Sequence, residues 1–411
     1  MRHSRQLNED ARNIAVITGS ALVAVVATLA LVNGAPASRL HPVPAASPWP
    51  ESYTLKQPLA GTNQLYGSVR TRDGAVHRGF LRWDRNEGSW GDLLDVSKLD
   101  RGFRGLSGIR FGHVDRIQPV GSSQAIFHLR SGQTIGMEGE STDLGLGMRS
   151  LVVTGANGDP TTLEWREIRR VDFEAAPGHV RPAAGRLYGT LSTGRGAEFT
   201  GYITWDVDEI HSTDFLDGEA DGRDYQIPFG AISEIEQYGP VGAHVTLHTG
   251  ERITLYGTND VDRSNRGITV SDPGLGQVKI PWDYLGSVRF HGARRDQSRS
   301  DFDGGRPLRG TVITTSGDAL SGDIKWDRDE YSSWEMLNGT SAGIEFDVEF
   351  SRIERIVKND AGSTVILRDG RAYDLEGSND VDSGNRDILV TTGGSEYVVA
   401  WEDFRELRLD R

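Results

Sequence analysis

Two acidic loops hold the residues best suited to chemistry in this chain. Gly257-Thr258-Asn259-Asp260-Val261-Asp262-Arg263-Ser264-Asn265-Arg266 returns as Gly377-Ser378-Asn379-Asp380-Val381-Asp382-Ser383-Gly384-Asn385-Arg386. Hard cations such as Ca²⁺ take roughly six to eight oxygen ligands, and Asp-x-Asp with a following Asn offers several from one loop. Asp260, Asp262 and Asn265, with Asp380, Asp382 and Asn385, are therefore the candidate metal ligands. The spacing is not that of an EF-hand, since the bidentate glutamate is missing and Ser264 or Gly384 stands at the fifth position. A second reading is purely structural. Asn and Asp side chains brace tight turns by bonding nearby main-chain groups, and Arg266 and Arg386 can clamp paired carboxylates without a metal. The corresponding loop Gly139–Arg149 keeps Asp143 and Arg149 but loses the second Asp and the Asn. It fits a clamp and not a metal shell.

A second acidic cluster follows a tryptophan three times, as Asp84-Arg85-Asn86-Glu87, Asp206-Val207-Asp208-Glu209 and Asp327-Arg328-Asp329-Glu330. At a strand end these acids read as a solvated turn, or as a complement to the Asn-Asp loops in a cation site. Trp83, Trp205 and Trp326, with Trp165, Trp282 and Trp401, recur at core-like places, whereas Trp90 and Trp334 fall in variable loops and are the candidate ligand contacts. His244 and His248 lie in a strand pattern, and no phosphate loop or H-E-x-x-H motif occurs. Acids abound, but none stands out as a glycosidase pair. The inventory points away from an enzyme and implies no cofactor beyond Ca²⁺.

Composition narrows the partners. The 411 residues carry a formal charge of −14 and no cysteine. Such a surface repels phosphate backbones, so nucleic acid is excluded as the expected partner. Disulfides and thiolate metal sites are ruled out. Arg2, Arg5 and Arg12 precede the apolar stretch from Ile14 to Val32, and Ala35-Pro36-Ala37 follows with cleavage-site spacing. Residues 1–37 therefore read as a signal peptide or, uncleaved, a membrane anchor, which is the one expected membrane contact. Residues 38–63 read as a Pro-rich linker.

The elements that must position these loops are read from an internal repeat. Leu65-Tyr66-Gly67, Leu187-Tyr188-Gly189 and Leu308-Arg309-Gly310 open three copies, 122 and 121 residues apart. Gly79-Phe80-Leu81-Arg82-Trp83-Asp84 matches Gly201-Tyr202-Ile203-Thr204-Trp205-Asp206 and Gly322-Asp323-Ile324-Lys325-Trp326-Asp327. Alternating apolar residues around glycine turns predict strands. Each copy reads as two halves, each ending in an apolar or aromatic close such as Ile109-x-Phe111-x-x-Val114 or Trp165-x-x-Ile168-x-x-Val171, where a 3₁₀ turn and a last strand are expected.

This order of strand, glycine turn, bent strand, loop and aromatic close resembles the Sm-like and SH3-like small β-barrels. The whole repeat is similar to uncharacterised exported bacterial proteins. The resemblance implies an all-β chain of three tandem repeats, 64–174, 186–290 and 307–411, each of two small barrels. The expected function is a non-catalytic binding or scaffold protein of the cell envelope, periplasmic, extracellular or anchored outside the cytoplasm. Its expected partner is an envelope protein or polysaccharide. A Ca²⁺-stabilised adhesion or carbohydrate-binding protein and an envelope hydrolase are the alternatives.

Overall fold

The computed structural model describes residues 63–99, 108–139 and 141–411. The expected signal or anchor, and all of the linker but its last residue, lie outside them. The described chain is all-β, with antiparallel ladders throughout and short 3₁₀ turns.

The second segment illustrates how the sequence builds its sheet. Tyr188–Thr193 and Glu198–Thr204 form a hairpin, with alternate residues Gly189, Leu191 and Thr193 buried on one face. That alternation is what a strand half-buried on one side requires. The sequence reading has each half closing on itself, but the ladders cross between halves. Glu198–Thr204 pairs with Ile268–Asp272 of the second half. Phe215–Ala220 pairs with Arg223–Pro228 and touches Arg252–Tyr256. The last strand, Leu285–Phe290, pairs with both Tyr188–Thr193 and Ile232–Tyr238. The first and third segments show the same crossing, with Val76–Arg82 on Leu151–Thr154 and Ala319–Lys325 on Ile388–Thr392. Each half thus lends strands to the other, and in the first segment one buried apolar cluster spans both halves.

At the six closes stand 3₁₀ turns, Phe111–His113, Trp165–Glu167, Phe229–Ala231, Trp282–Tyr284, Phe350–Arg352 and Trp401–Asp403. Each buries its leading aromatic. The aromatic anchors the turn, so the following strand leaves at a fixed angle toward the sheet it completes.

The segments meet along polar seams, parts of which are fully buried. Arg186, 0% exposed, gives Nη2 to Asp92 Oδ1 at 2.9 Å and Nη1 to the carbonyls of Ile203 and Ile210. Arg82 reaches Asp214 at 2.9 Å. Lys98 of the first segment bonds Glu335 and the carbonyl of Asp329 in the third. Burial pushes Glu349 up, but Arg110, His113 and Arg352 outweigh it and hold its carboxyl below the usual range. A buried ion pair adds little net stability when formed, yet losing one member strands the other at about 3–5 kcal/mol. These seams therefore fix which segment sits where.

Candidate functional site

The site is built from the turn after the recurring tryptophan. Trp83, Trp205 and Trp326 are fully buried, and each indole N–H donates to a loop carbonyl: Asp143 at 2.7 Å, Asp260 at 2.8 Å and Asp380 at 2.8 Å. The two acidic clusters that the sequence leaves separate are thus brought together. The turn is strained. Asp206 and Val207 have φ of 45° and 60°, and Asp327 and Arg328 have 45° and 65°. Side chains with a Cβ rarely occupy that region, and a β-branched valine least of all.

What holds the strain is a clamp. Asp327 accepts the main-chain N–H of Arg386, its guanidinium at 2.5 Å and the Asn379 amide. Arg386 also reaches Asp329 at 2.6 Å. Arg266 treats Asp206 and Asp208 alike, at 2.7 and 2.6 Å, and Arg149 takes Asp84 at 3.2 Å. The clamps therefore grip the tryptophan turn, not the carboxylate pairs of their own loops.

The six residues expected to ligate a metal have other duties. Asp260 and Asp380 accept the main-chain N–H of Asp217 and Asn338, each at 2.7 Å. Asp262 and Asp382 accept from Ser264 and Gly384 at 2.8 Å. Asn265 and Asn385 accept from Gly267 and Asp387. Asp262, Asp382, Asn265 and Asn385 brace their own turns, whereas Asp260 and Asp380 tie the loop to a strand 43 and 42 residues upstream. Trp90 and Trp334, expected at the surface, are 1% and 0% exposed. Both join the core that contains Trp83, because the loop of the third segment plugs against the first. The sequence Gly339-Thr340-Ser341-Ala342-Gly343 matches the spacing of a hydrolase nucleophile elbow. It forms a hairpin turn between Met336–Ser341 and Ile344–Glu349, where an elbow needs a strand leading into a helix.

The groups that do converge are the acids that the sequence offers as a solvated turn or as a complement to the Asn-Asp loops in a cation site. Among the described residues, Asp206, Asp208 and Glu209 form one carboxylate cluster, and Asp327, Asp329 and Glu330 form another. Within each, the oxygens lie within 4.8 Å of one another. The third-segment cluster opens into a cavity of about 550 Å³ lined by Asp329, Glu330, Glu345, Asp347, Asp380 and Arg386, among others. Asp329 and Glu330 are 6% and 2% exposed, and among the described residues each keeps one buried oxygen with no hydrogen-bond donor, as do Glu87 and Glu209 at the equivalent place in the other segments. Burial, then the charges of Asp380, Asp329 and Glu335, pushes Glu330 far above the usual carboxylate range. Burial likewise raises Asp380 to about 8 and Asp347 to about 7. Carboxyls in this state take up a proton or a cation. The second-segment cluster is better compensated, with Arg149 of the first segment 3.6 Å from Asp208 and Arg82 on the Asp208 carbonyl.

No protein-family model, no curated protein and no solved structure matches this chain.

Proposed function

We propose that this chain is a non-catalytic binding and scaffold protein acting outside the cytoplasm, and that its third segment takes a divalent cation of the calcium type. The observation that carries this reading is the pair of orphaned, buried carboxylate oxygens of Asp329 and Glu330 beside Asp380 in one cavity. Among the described residues, Arg386 and Lys98 are the cations paired with Asp327, Asp329 and Glu335, beside Glu330 and Asp380. Fully ionised, the cluster is left strongly negative. A hard divalent ion relieves that charge and gives the two oxygens a partner. Asp329 and Glu330 would hold it, with Asp380 alongside and Arg386 fixing the turn.

The scaffold part of the reading rests on recurrence. Three segments with the same landmarks, the same strand crossing and the same tryptophan turn fit three tandem repeats, each of two interleaved SH3-like or Sm-like barrels. Repeated loops on a rigid frame let weak contacts to an envelope protein or polysaccharide add by avidity. The location rests on the N-terminal reading.

Melting the protein in chelator and in calcium tests the site. Calcium at about a hundred times its Kd stabilises a folded-state site by about 2.7 kcal/mol. Glu330→Gln should melt normally in chelator and gain nothing from calcium. An unchanged wild-type midpoint together with no calorimetric heat of binding would sink the reading.

A second reading, an envelope hydrolase, draws on the same cavity, because a carboxyl held protonated can serve as a general acid. It requires turnover of envelope polysaccharide that Glu330→Gln abolishes and that does not depend on calcium.

A further inference from the structure

We infer that the chain assembles head to tail with further copies of itself, the open edge strand Ser395–Val399 of one copy pairing with the open edge strand Arg223–Pro228 of the next. The pattern for this joint exists inside the chain. Gly276–Ile280 of the second segment pairs antiparallel with Ile344–Glu349 of the third, setting Gln277 opposite Asp347, Val278 opposite Phe346 and Lys279 opposite Glu345. Val278 and Phe346 are buried there. Phe346 packs on Phe199 of the second segment and Tyr373 of the third, at 5.8 and 4.9 Å. Two sheets thereby become one sheet of twelve strands.

Among the described residues, the same two edges recur at the ends of this arrangement without partners. Ser395–Val399 corresponds to Gly276–Ile280, because Val399-Ala400-Trp401 aligns with Ile280-Pro281-Trp282. It pairs only with Ile388–Thr392 and ends its sheet. Arg223–Pro228 corresponds to Ile344–Glu349, because Ile227-x-Phe229 aligns with Val348-x-Phe350. It too ends its sheet, paired only with Phe215–Ala220. Transferring the internal register sets Glu396 opposite Gln226, Tyr397 opposite Tyr225 and Val398 opposite Asp224. Tyr397 and Val398 are 46% and 57% exposed, a large apolar load for an edge with a single charge. Soluble proteins normally blunt such edges with proline, lysine or a bulge. The corresponding edge of the first segment, Pro160–Leu163, begins with proline; Ser395–Val399 has none of these guards.

Main-chain geometry supports the match. Two-residue turns with positive φ, Gly393-Gly394 and Asp221-Gly222, close the two hairpins. In such hairpins the flanking residues bond each other, so main-chain groups alternate outward from the next residue on. Glu396 and Val398 therefore present N–H and C=O to the open edge, as do Asp224 and Gln226. The same count points Glu345, Asp347 and Glu349 outward in the internal joint, where the Glu349 N–H donates to the Leu275 carbonyl across the seam; Pro228 stands at the Glu349 position and has no N–H, so the joint between copies rests on the bonds of the Asp224 and Gln226 positions. Because the two edges differ, the contact is heterologous and propagates as a chain or closes as a ring.

Two proline variants test the joint, each removing an outward N–H without cutting an internal ladder bond. Sedimentation velocity of the purified wild type should give a mass that climbs with concentration beyond two copies. Val398→Pro alone and Gln226→Pro alone should each lose that growth, since each retains only one good edge. Mixing them should give a one-to-one dimer that grows no further, because the intact edge of each fits the intact edge of the other. Circular dichroism checks the fold of each; Val398→Asp, which sets like charge against Asp224, replaces Val398→Pro if that unfolds, and Gln226→Glu, which sets like charge against Glu396, replaces Gln226→Pro. A wild type that stays monomeric, a variant that assembles alone, or a mixture that stays monomeric overturns the inference.

Discussion

The first and third segments carry the turns Trp83-Asp84-Arg85-Asn86-Glu87 and Trp326-Asp327-Arg328-Asp329-Glu330, which differ only in an amide against a carboxylate. Both place the Asp and Arg at positive φ, both tether the indole to a loop carbonyl, and both clamp the first Asp with an arginine. Their surroundings diverge. The first opens on a cavity of about 110 Å³ that Lys279 of the second segment helps to line, the third on one of about 550 Å³ lined by five carboxylates and Arg386. The same local grammar thus opens on a narrow recess with four carboxylates and Lys279 in one place, and on a much larger cavity with five carboxylates and Arg386 in the other. What packs against the turn decides its chemistry.

The largest effect expected from this comparison is on the clamps. Arg386→Ala strands both Asp327, which is fully buried, and Asp329, and should cost about 3–5 kcal/mol in chelator. Arg149→Ala removes the partner of Asp84 and a looser 3.6 Å contact with Asp208, which keeps Arg266, and should cost about 2 kcal/mol. Urea denaturation of the two variants measures the gap, and equal losses would mean that Asp329 contributes nothing to the third turn.

Acidity gives an intermediate effect, and here the segments agree. Asp143 and Asp380 stand at equivalent places, and burial raises both to about 8, Asp95 adding its charge at Asp143. Burial and then Asp95 also lift Asp347 to about 7. A carboxyl with a raised folded-state pKa holds its proton in the fold when the unfolded chain has released it. Stability from these groups is therefore complete below the unfolded value of about 4 and is lost as pH rises toward 8. Glu349, held low, works the opposite way and gives up its contribution as pH falls below about 4. Thermal midpoints in chelator should fall from pH 5 to pH 8, by about 2 °C for each kcal/mol lost. Asp143→Asn should flatten the slope; a midpoint that climbs across that window would contradict the assignment.

The tryptophans, glycine turns and 3₁₀ closes were legible in the sequence because each is set by local pattern. Strand partners were not: alternation tells which face of Glu198–Thr204 is buried, but not that its neighbour is Ile268–Asp272. Arg266 and Arg386 were legible as clamps, yet their targets lie 57 to 60 residues upstream, in the other half of the segment. Glu330 was missed because Asp-Arg-Asp-Glu reads as a solvated turn. Its burial comes partly from a seam in which Lys98 arrives from 231 residues away. Trp90 and Trp334 misled for the same reason, since a variable loop looks exposed until another segment closes over it.

The smallest effect is also the sharpest test of neighbour against sequence. Asn86→Asp gives the first turn the side chains of the third. A new carboxylate beside Glu87, which burial and nearby acids already push well above the usual range, adds repulsion, since like charges 4 Å apart cost roughly 1 kcal/mol in water and more in a protein. The variant should be less stable in chelator by about 1 kcal/mol. If neighbours decide the chemistry, calcium should not recover that loss, because the Lys279 ammonium already lines the first cavity. Adding Lys279→Gln should make the first turn respond to calcium as the third does, read as a calcium-induced rise in midpoint on a Glu330→Gln background. Recovery by calcium in Asn86→Asp alone would place the decision in the turn itself, and the distinction between the two cavities would lose its meaning.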